Sequence, residues 1–144
     1  MNYPKVFFIC SLFLSVFSTS VFACRCAELN AVDVLNYEQN KFVFLGTVAS
    51  AKLNDLNSFS KVVEAEVLVQ EQFKGLIKDK LFKVIAVLET SACGGPISVG
   101  SQYVLVADSE GSIDFCTSRL INPYDSDPYV KIYIDELRSF SRSK

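Results

Sequence analysis

The chain has 144 residues, 14 basic against 16 acidic side chains, half its residues hydrophobic, and no histidine. A net charge of −2 is not the footprint of a nucleic-acid binder. The missing histidine removes Ser-His-Asp and Cys-His nucleophile arrangements and every zinc site that needs an imidazole ligand, so no enzyme activity is expected.

Residues 1–23 combine a lone Lys5, an apolar run from Val6 to about Phe17, and small polar residues leading into Val21-Phe22-Ala23. That pattern is a secretory signal peptide, with cleavage expected between Ala23 and Cys24. The apolar run is shorter than the roughly 20 residues a spanning helix needs, and nothing later approaches that length. No membrane span is expected, and the localisation is secreted, either extracellular or periplasmic. A lipoprotein signal is the rival reading, with a lipid on Cys24, but bulky Phe22 fits it poorly. Of five cysteines, Cys10 leaves with the leader, while Cys24, Cys26, Cys93 and Cys116 remain as an even set that can pair completely in an oxidising compartment. Lipidation would strand one thiol. A zinc site from all four cysteines is disfavoured, because Cys24-Arg25-Cys26 is a tight CxC and the other two stand alone. Residues 24–144 then form a single domain of 121 residues with a net charge of −3.

In chain order, Leu29, Val32, Val34 and Leu35 lie at roughly helical intervals within Ala27–Asn40, which predicts a short helix or turn-rich segment. Lys41–Leu53 reads as a strand, rich in aromatic and β-branched residues, with a bulge or bend at Gly46. Lys61–Phe73 alternates, placing Val63, Ala65, Val67 and Val69 on one face and Glu64 and Glu66 on the other. The two glutamates are expected to be solvated rather than catalytic, and Phe42, Phe44, Phe73 and Phe82 to be core rather than a ligand platform. Lys78–Leu88 is a third strand, Ser101–Asp108 a fourth, and Ser112–Ile121 a fifth. The loop between the third and fourth strands is built on Cys93, Gly94, Gly95 and Pro96. Five strands joined by turns, with no alternating helices, predict a closed or nearly closed antiparallel barrel. Asp127 as cap and Pro128 at the first helical position start a C-terminal amphipathic helix, with Val130, Ile132, Tyr133, Leu137 and Phe140 on or near its apolar face. Arg138, Arg142 and Lys144 are the basic residues that suit the negative end of its dipole.

Several features occur in a telling order: Cys24-Arg25-Cys26 straight after a leader, Phe44-Leu45-Gly46-Thr47-Val48, Phe73-Lys74-Gly75, Cys93-Gly94 in a loop, Gly100 through Tyr103 to Ala107, and a lone Cys116. In that order and spacing the chain resembles the N-terminal domain of the tissue inhibitors of metalloproteinases, within the netrin-like family, over nearly all of residues 24–121. The resemblance implies an all-β fold, a five-stranded OB-fold (Greek-key) barrel with flanking helices and a disulfide-linked N-terminal segment, here as a single-domain form. It implies the pairings Cys24–Cys93 and Cys26–Cys116, one of three connectivities open to four cysteines.

It also implies a function. The partner would be a zinc metalloprotease, whose catalytic zinc is chelated by the Cys24 α-amine and carbonyl oxygen. Residue 25 would point into the protease's S1′ pocket, and Thr90, Ser91, Ala92 and Cys93 would form a second contact ridge. No cofactor and no intrinsic metal are implied. Arg25 departs from the animal inhibitors, which carry a small Ser or Thr there, and burying an unpaired guanidinium is costly. Either the target pocket is acidic or water-filled, or the protein is a netrin-like protein-binding module without inhibitory activity. Nothing in the sequence fixes an oligomeric state.

Overall fold

The computed structural model describes residues 30–55, 61–88, 97–113, 116–121 and 128–142. The described chain runs through helix α1 (Ala31–Asn36), strands β1 (Phe42–Asp55), β2 (Lys61–Lys74), β3 (Leu81–Leu88), β4 (Gln102–Ala107) and β5 (Arg119–Ile121), and helix α2 (Pro128–Ser141). All five strands belong to one antiparallel sheet, open in its ladder, in the order β3-β2-β1-β4-β5. The first three strands form a meander, and β4 returns to the free side of β1.

Alternation along the strands sorts apolar residues to two faces, and both faces are buried. One face gathers Phe44, Val48, Ala65, Val67, Ile77, Val84, Ala86, Ile97, Tyr103, Leu105, Ala107 and Ile113, with Phe42 and Phe82 packed against them. Phe82 stacks on both, with ring centroids 4.9 Å from Phe42 and 5.3 Å from Phe44. The opposite face, Val43, Leu45, Phe73, Val104 and Val106, is covered by Ala31, Val34 and Leu35 of α1 and by Leu137 of α2. β4 is therefore sandwiched, and its run Tyr103–Ala107 is buried throughout. A strand covered on both faces reads as a continuous apolar run rather than an alternating one.

The helices are held by polar ties as well as by packing. Six residues are too few for a helix to stand alone in water, so α1 depends on its contacts. The Asn30 side chain caps it, Oδ1 accepting from the Asp33 N–H at 2.8 Å. At the other end the buried Asn40 amide donates to the Val34 carbonyl at 2.9 Å, satisfying a last-turn acceptor. Lys74 Nζ donates to the Tyr37 carbonyl at 2.9 Å and joins α1 to the end of β2. On α2, the Arg138 guanidinium grips Glu71 of β2 with Nε and Nη2, at 2.9 and 2.8 Å, and its Nη1 reaches Asp135 at 3.2 Å. That fork holds the Glu71 carboxyl below the usual glutamate range, the hydrogen bonds outweighing desolvation.

Two glycines make close approaches possible. A Cβ at Gly46 would lie 2.6 Å from Val67 Cγ1 and 2.9 Å from the Leu68 carbonyl oxygen. The register of β1 on β2 slips at this point, between Leu45 and Gly46, as the sequence predicted for a bulge. Gly111 has φ +83°, and a Cβ there would stand 2.7 Å from the Lys83 carbonyl oxygen. It opens a short segment that spans from β3 to β4. The Ile85 N–H donates to the Gly111 carbonyl and the Ile113 N–H to the Ile85 carbonyl, both at 2.9 Å. Ile85 and Ser112 form a parallel bridge, while Ala107 and Ile113 form an antiparallel one.

Two expectations need correction and a third, the short helix within Ala27–Asn40, is met over a narrower range. The predicted fifth strand over 112–121 is not continuous: its start makes only the two single-residue bridges, residues 116 and 117 turn, and the strand proper is Arg119–Ile121. The first helix is confined to Ala31–Asn36 and buries Ala31, Val34 and Leu35, leaving Val32 partly exposed. On α2 the covered face is Tyr133, Ile134 and Leu137, whereas Ile132 and Phe140 stand exposed. The periodicity of α2 admits either isoleucine on the inner face. The Arg138–Glu71 fork is one contact that orients the helix in the observed way.

Candidate functional site

The residues to which sequence reasoning assigns a role fall almost entirely outside the described residues: Cys24, Arg25, Cys26, Thr90, Ser91, Ala92 and Cys93, with the leader 1–23. Cys116 is described. It sits in the turn before β5 and is disulfide-bonded, to a cysteine outside the described residues. The turn around it is anchored, with Thr117 buried and the Ser118 hydroxyl accepting from the Val106 N–H of β4 at 3.1 Å.

The frame for the loop carrying Thr90–Cys93 is visible on both sides. β3 delivers the chain at Leu88, which pairs with Lys61 at the start of β2. On the far side Ile97 is buried in the core and the chain is clamped within a few residues. The Ser98 N–H donates to the Tyr103 hydroxyl at 3.1 Å, the Ser101 N–H to the Ser98 carbonyl at 3.1 Å, and Val48 exchanges hydrogen bonds with Ser101 and Gly100 at 3.0 and 2.8 Å. The Ser98, Gly100 and Ser101 backbone donors are thus satisfied where the chain re-enters the sheet.

The carboxylates that might suggest acid–base chemistry are surface groups with ordinary partners. Glu64 pairs with Lys83 across the β2–β3 ladder at 2.5 Å, and its pKa is lowered, chiefly by that hydrogen bond. Glu66 accepts from the Ser50 hydroxyl at 2.9 Å. Among the described residues no three His, Cys, Asp or Glu side chains stand together as a metal site. No described helix is long and apolar enough to cross a membrane.

One recess was not anticipated from the sequence. It is about 160 Å³, lined by Tyr37, Gln39, Asn40, Asp108, Ser112 and Ile113. Its carboxylate is already engaged, since Asp108 Oδ1 accepts from the Glu110 and Ser112 N–H groups at 2.9 Å each. The Asp-Ser-Glu-Gly turn signal marks this bend, but nothing in the chain marks its partner at 37–40. The recess is well below the 300 Å³ or so of a pocket that buries a drug-sized ligand.

Compared with known proteins, the chain matches no protein-family model and no curated sequence.

Proposed function

We propose that this chain is a secreted inhibitor of zinc metalloproteases, built on an OB barrel and acting through the N-terminal cysteine released at Ala23–Cys24. The observation that carries the reading is the Gly111–Ile113 segment, which lies parallel to β3 and antiparallel to β4 while β4 lies on β1. An OB barrel would have such an adjacency, the chain after the fourth strand closing back on the third, and the two bridges support that reading. The disulfide at Cys116, three residues beyond Ile113, is a second support, because it ties the closing segment to another cysteine.

In this reading Cys24 pairs with Cys93 and Cys26 with Cys116, so the new N-terminus is pinned across the barrel. Its amine and carbonyl oxygen together fill the open position of a catalytic zinc, at about 2.0–2.2 Å, and displace the bound water. The amine donates only when neutral. A reference pKa of roughly 7.7–8.0 leaves a useful neutral fraction at physiological pH, and metal binding draws off the remaining proton. Pinning by two disulfides lowers the ordering cost of docking. Arg25 enters the S1′ pocket, which must answer its charge, and Thr90–Cys93 forms the adjoining ridge.

The test is one alanine added before Cys24. It turns the amine into an amide, a poor zinc donor, and should abolish inhibition of a metalloprotease panel while circular dichroism stays unchanged. Arg25→Thr keeps the chelating atoms and should change which proteases are inhibited. Equal inhibition by the extended and native forms would overturn the mechanism. No inhibition by the native form would leave the binding module, for which the unmatched Arg25 already argues.

A further inference from the structure

We propose that the β2–β3 connection is a docking loop for an anionic lipid surface. Residues 75–80 join β2 to β3 with the sequence Gly-Leu-Ile-Lys-Asp-Lys, and the side chains divide sharply. Ile77 turns into the core. Leu76 stands 75 % exposed at the tip, and Leu81, 49 % exposed, begins β3 at the loop's other end, directly opposite the exposed Leu68.

This exposure is built into the backbone. Gly75 turns the chain at φ +80°, and the Gln72 side chain clamps the bend from both sides: its amide donates to the Ile77 carbonyl and its oxygen accepts from the Ile77 N–H, both at 3.0 Å. Fixing Ile77 inward presents Leu76 outward. A single exposed leucine is ordinary on a protein surface. A leucine held at a tip, with lysines around it, is a more specific arrangement.

The charges are those lysines. Lys78 and Lys80 flank the one acid of the segment, Asp79, in a chain whose net charge is negative. Among the described residues Lys78 and Lys80 have no ion-pair partner. A cationic pole with apolar tips matches a surface that offers anionic headgroups above hydrocarbon. A sulfated polysaccharide or an acidic protein would use the lysines and leave the leucines in water, which is why the lipid surface is the better fit. The inference does not depend on the role of Cys24.

The experiment is co-sedimentation of the secreted protein with vesicles of phosphatidylcholine alone, or of phosphatidylcholine and phosphatidylglycerol in equal amounts. Binding is expected to the mixed vesicles only and should weaken as salt screens the lysines. Lys78→Gln with Lys80→Gln should lower the partition coefficient about 30-fold, from roughly fivefold for each lysine near the surface. Leu76→Ser should lower it about tenfold by removing the inserted side chain. All three positions are exposed, and unchanged thermal unfolding will show that the fold is intact. Equal binding to both vesicle types, or binding to neither, overturns the proposal. So does a lysine effect without a Leu76 effect, which would assign the loop to a purely electrostatic partner.

Discussion

Gly111 and Gly100 offer an experiment with its own control. Both have φ +83°, so alanine at either position carries the same left-handed backbone penalty, about 1–2 kcal/mol. Their surroundings differ. At Gly100 an added Cβ meets nothing within 4 Å, whereas at Gly111 it meets the Lys83 carbonyl oxygen at 2.7 Å, a distance real Cβ atoms do not tolerate. The carbonyl belongs to β3 backbone, so relief requires the 111–113 segment to back away. That movement weakens the two hydrogen bonds to Ile85, each worth about 1 kcal/mol net. Gly111→Ala should therefore destabilise by about 2–4 kcal/mol and Gly100→Ala by about 1–2 kcal/mol. In urea unfolding with the disulfides intact, the Gly111 variant should show the lower midpoint by about 1 M, with an unchanged slope. Equal midpoints for the two variants would mean that the segment does not press on β3, and the closure argument would fail with it.

Other predictions address the ties that hold the helices. Arg138→Ala should cost about 1 kcal/mol, the value of a half-exposed but bidentate pair, and lower the melting temperature by about 4 °C. The acid limb follows from the same contact. Glu71 is held below its ordinary value in the folded protein, so its contribution is fully present above the unfolded-state pKa near 4.5 and is lost as pH falls through the depressed folded value. The stability gap between wild type and Arg138→Ala should thus shrink as pH falls below the ordinary glutamate value of 4.5, and a constant gap would exclude the fork as its source. Asn40→Ala leaves the Val34 carbonyl without its buried donor and should cost about 1–3 kcal/mol by chemical denaturation. Phe44→Ala, at a fully buried position flanked by Phe82, should cost about 3–5 kcal/mol, and a loss below 1 kcal/mol would place the core elsewhere.

Strands β1 to β4 are legible in the sequence because alternation and β-branched residues coincide with burial. Ala65 and Val67 are buried and Val63 and Val69 partly so, while Glu66, Leu68 and Gln70 are exposed. The fifth strand misleads for a tertiary reason. Ser112–Ile121 has the composition of one strand, but residues 116 and 117 form a turn, held by the Ser118 hydroxyl accepting from the Val106 N–H, a contact that leaves no trace in local pattern. The Arg138–Glu71 fork joins residues 67 apart in sequence, so the side of α2 that faces inward was beyond periodicity alone. The candidate site was read from residue type and order alone, and all of its residues but Cys116 lie outside the described residues. Of those residues the described fold carries Cys116 and the two anchored flanks of the Thr90–Cys93 loop.

The sandwiched strand β4 has a consequence for how the domain assembles. Tyr103, Leu105 and Ala107 belong to one apolar cluster and Val104 and Val106 to the other, so neither cluster is complete until β4 reaches β1. The β1–β2–β3 meander pairs strands that follow one another in the chain, but the pairing Phe42↔Ala107 joins positions far apart along it. Such long-range contacts cost loop entropy before they return any stabilisation, which makes their formation the slow step. Both halves of the hydrophobic interior then condense in one event, and the amides of β4 should be the last to exchange with solvent deuterium.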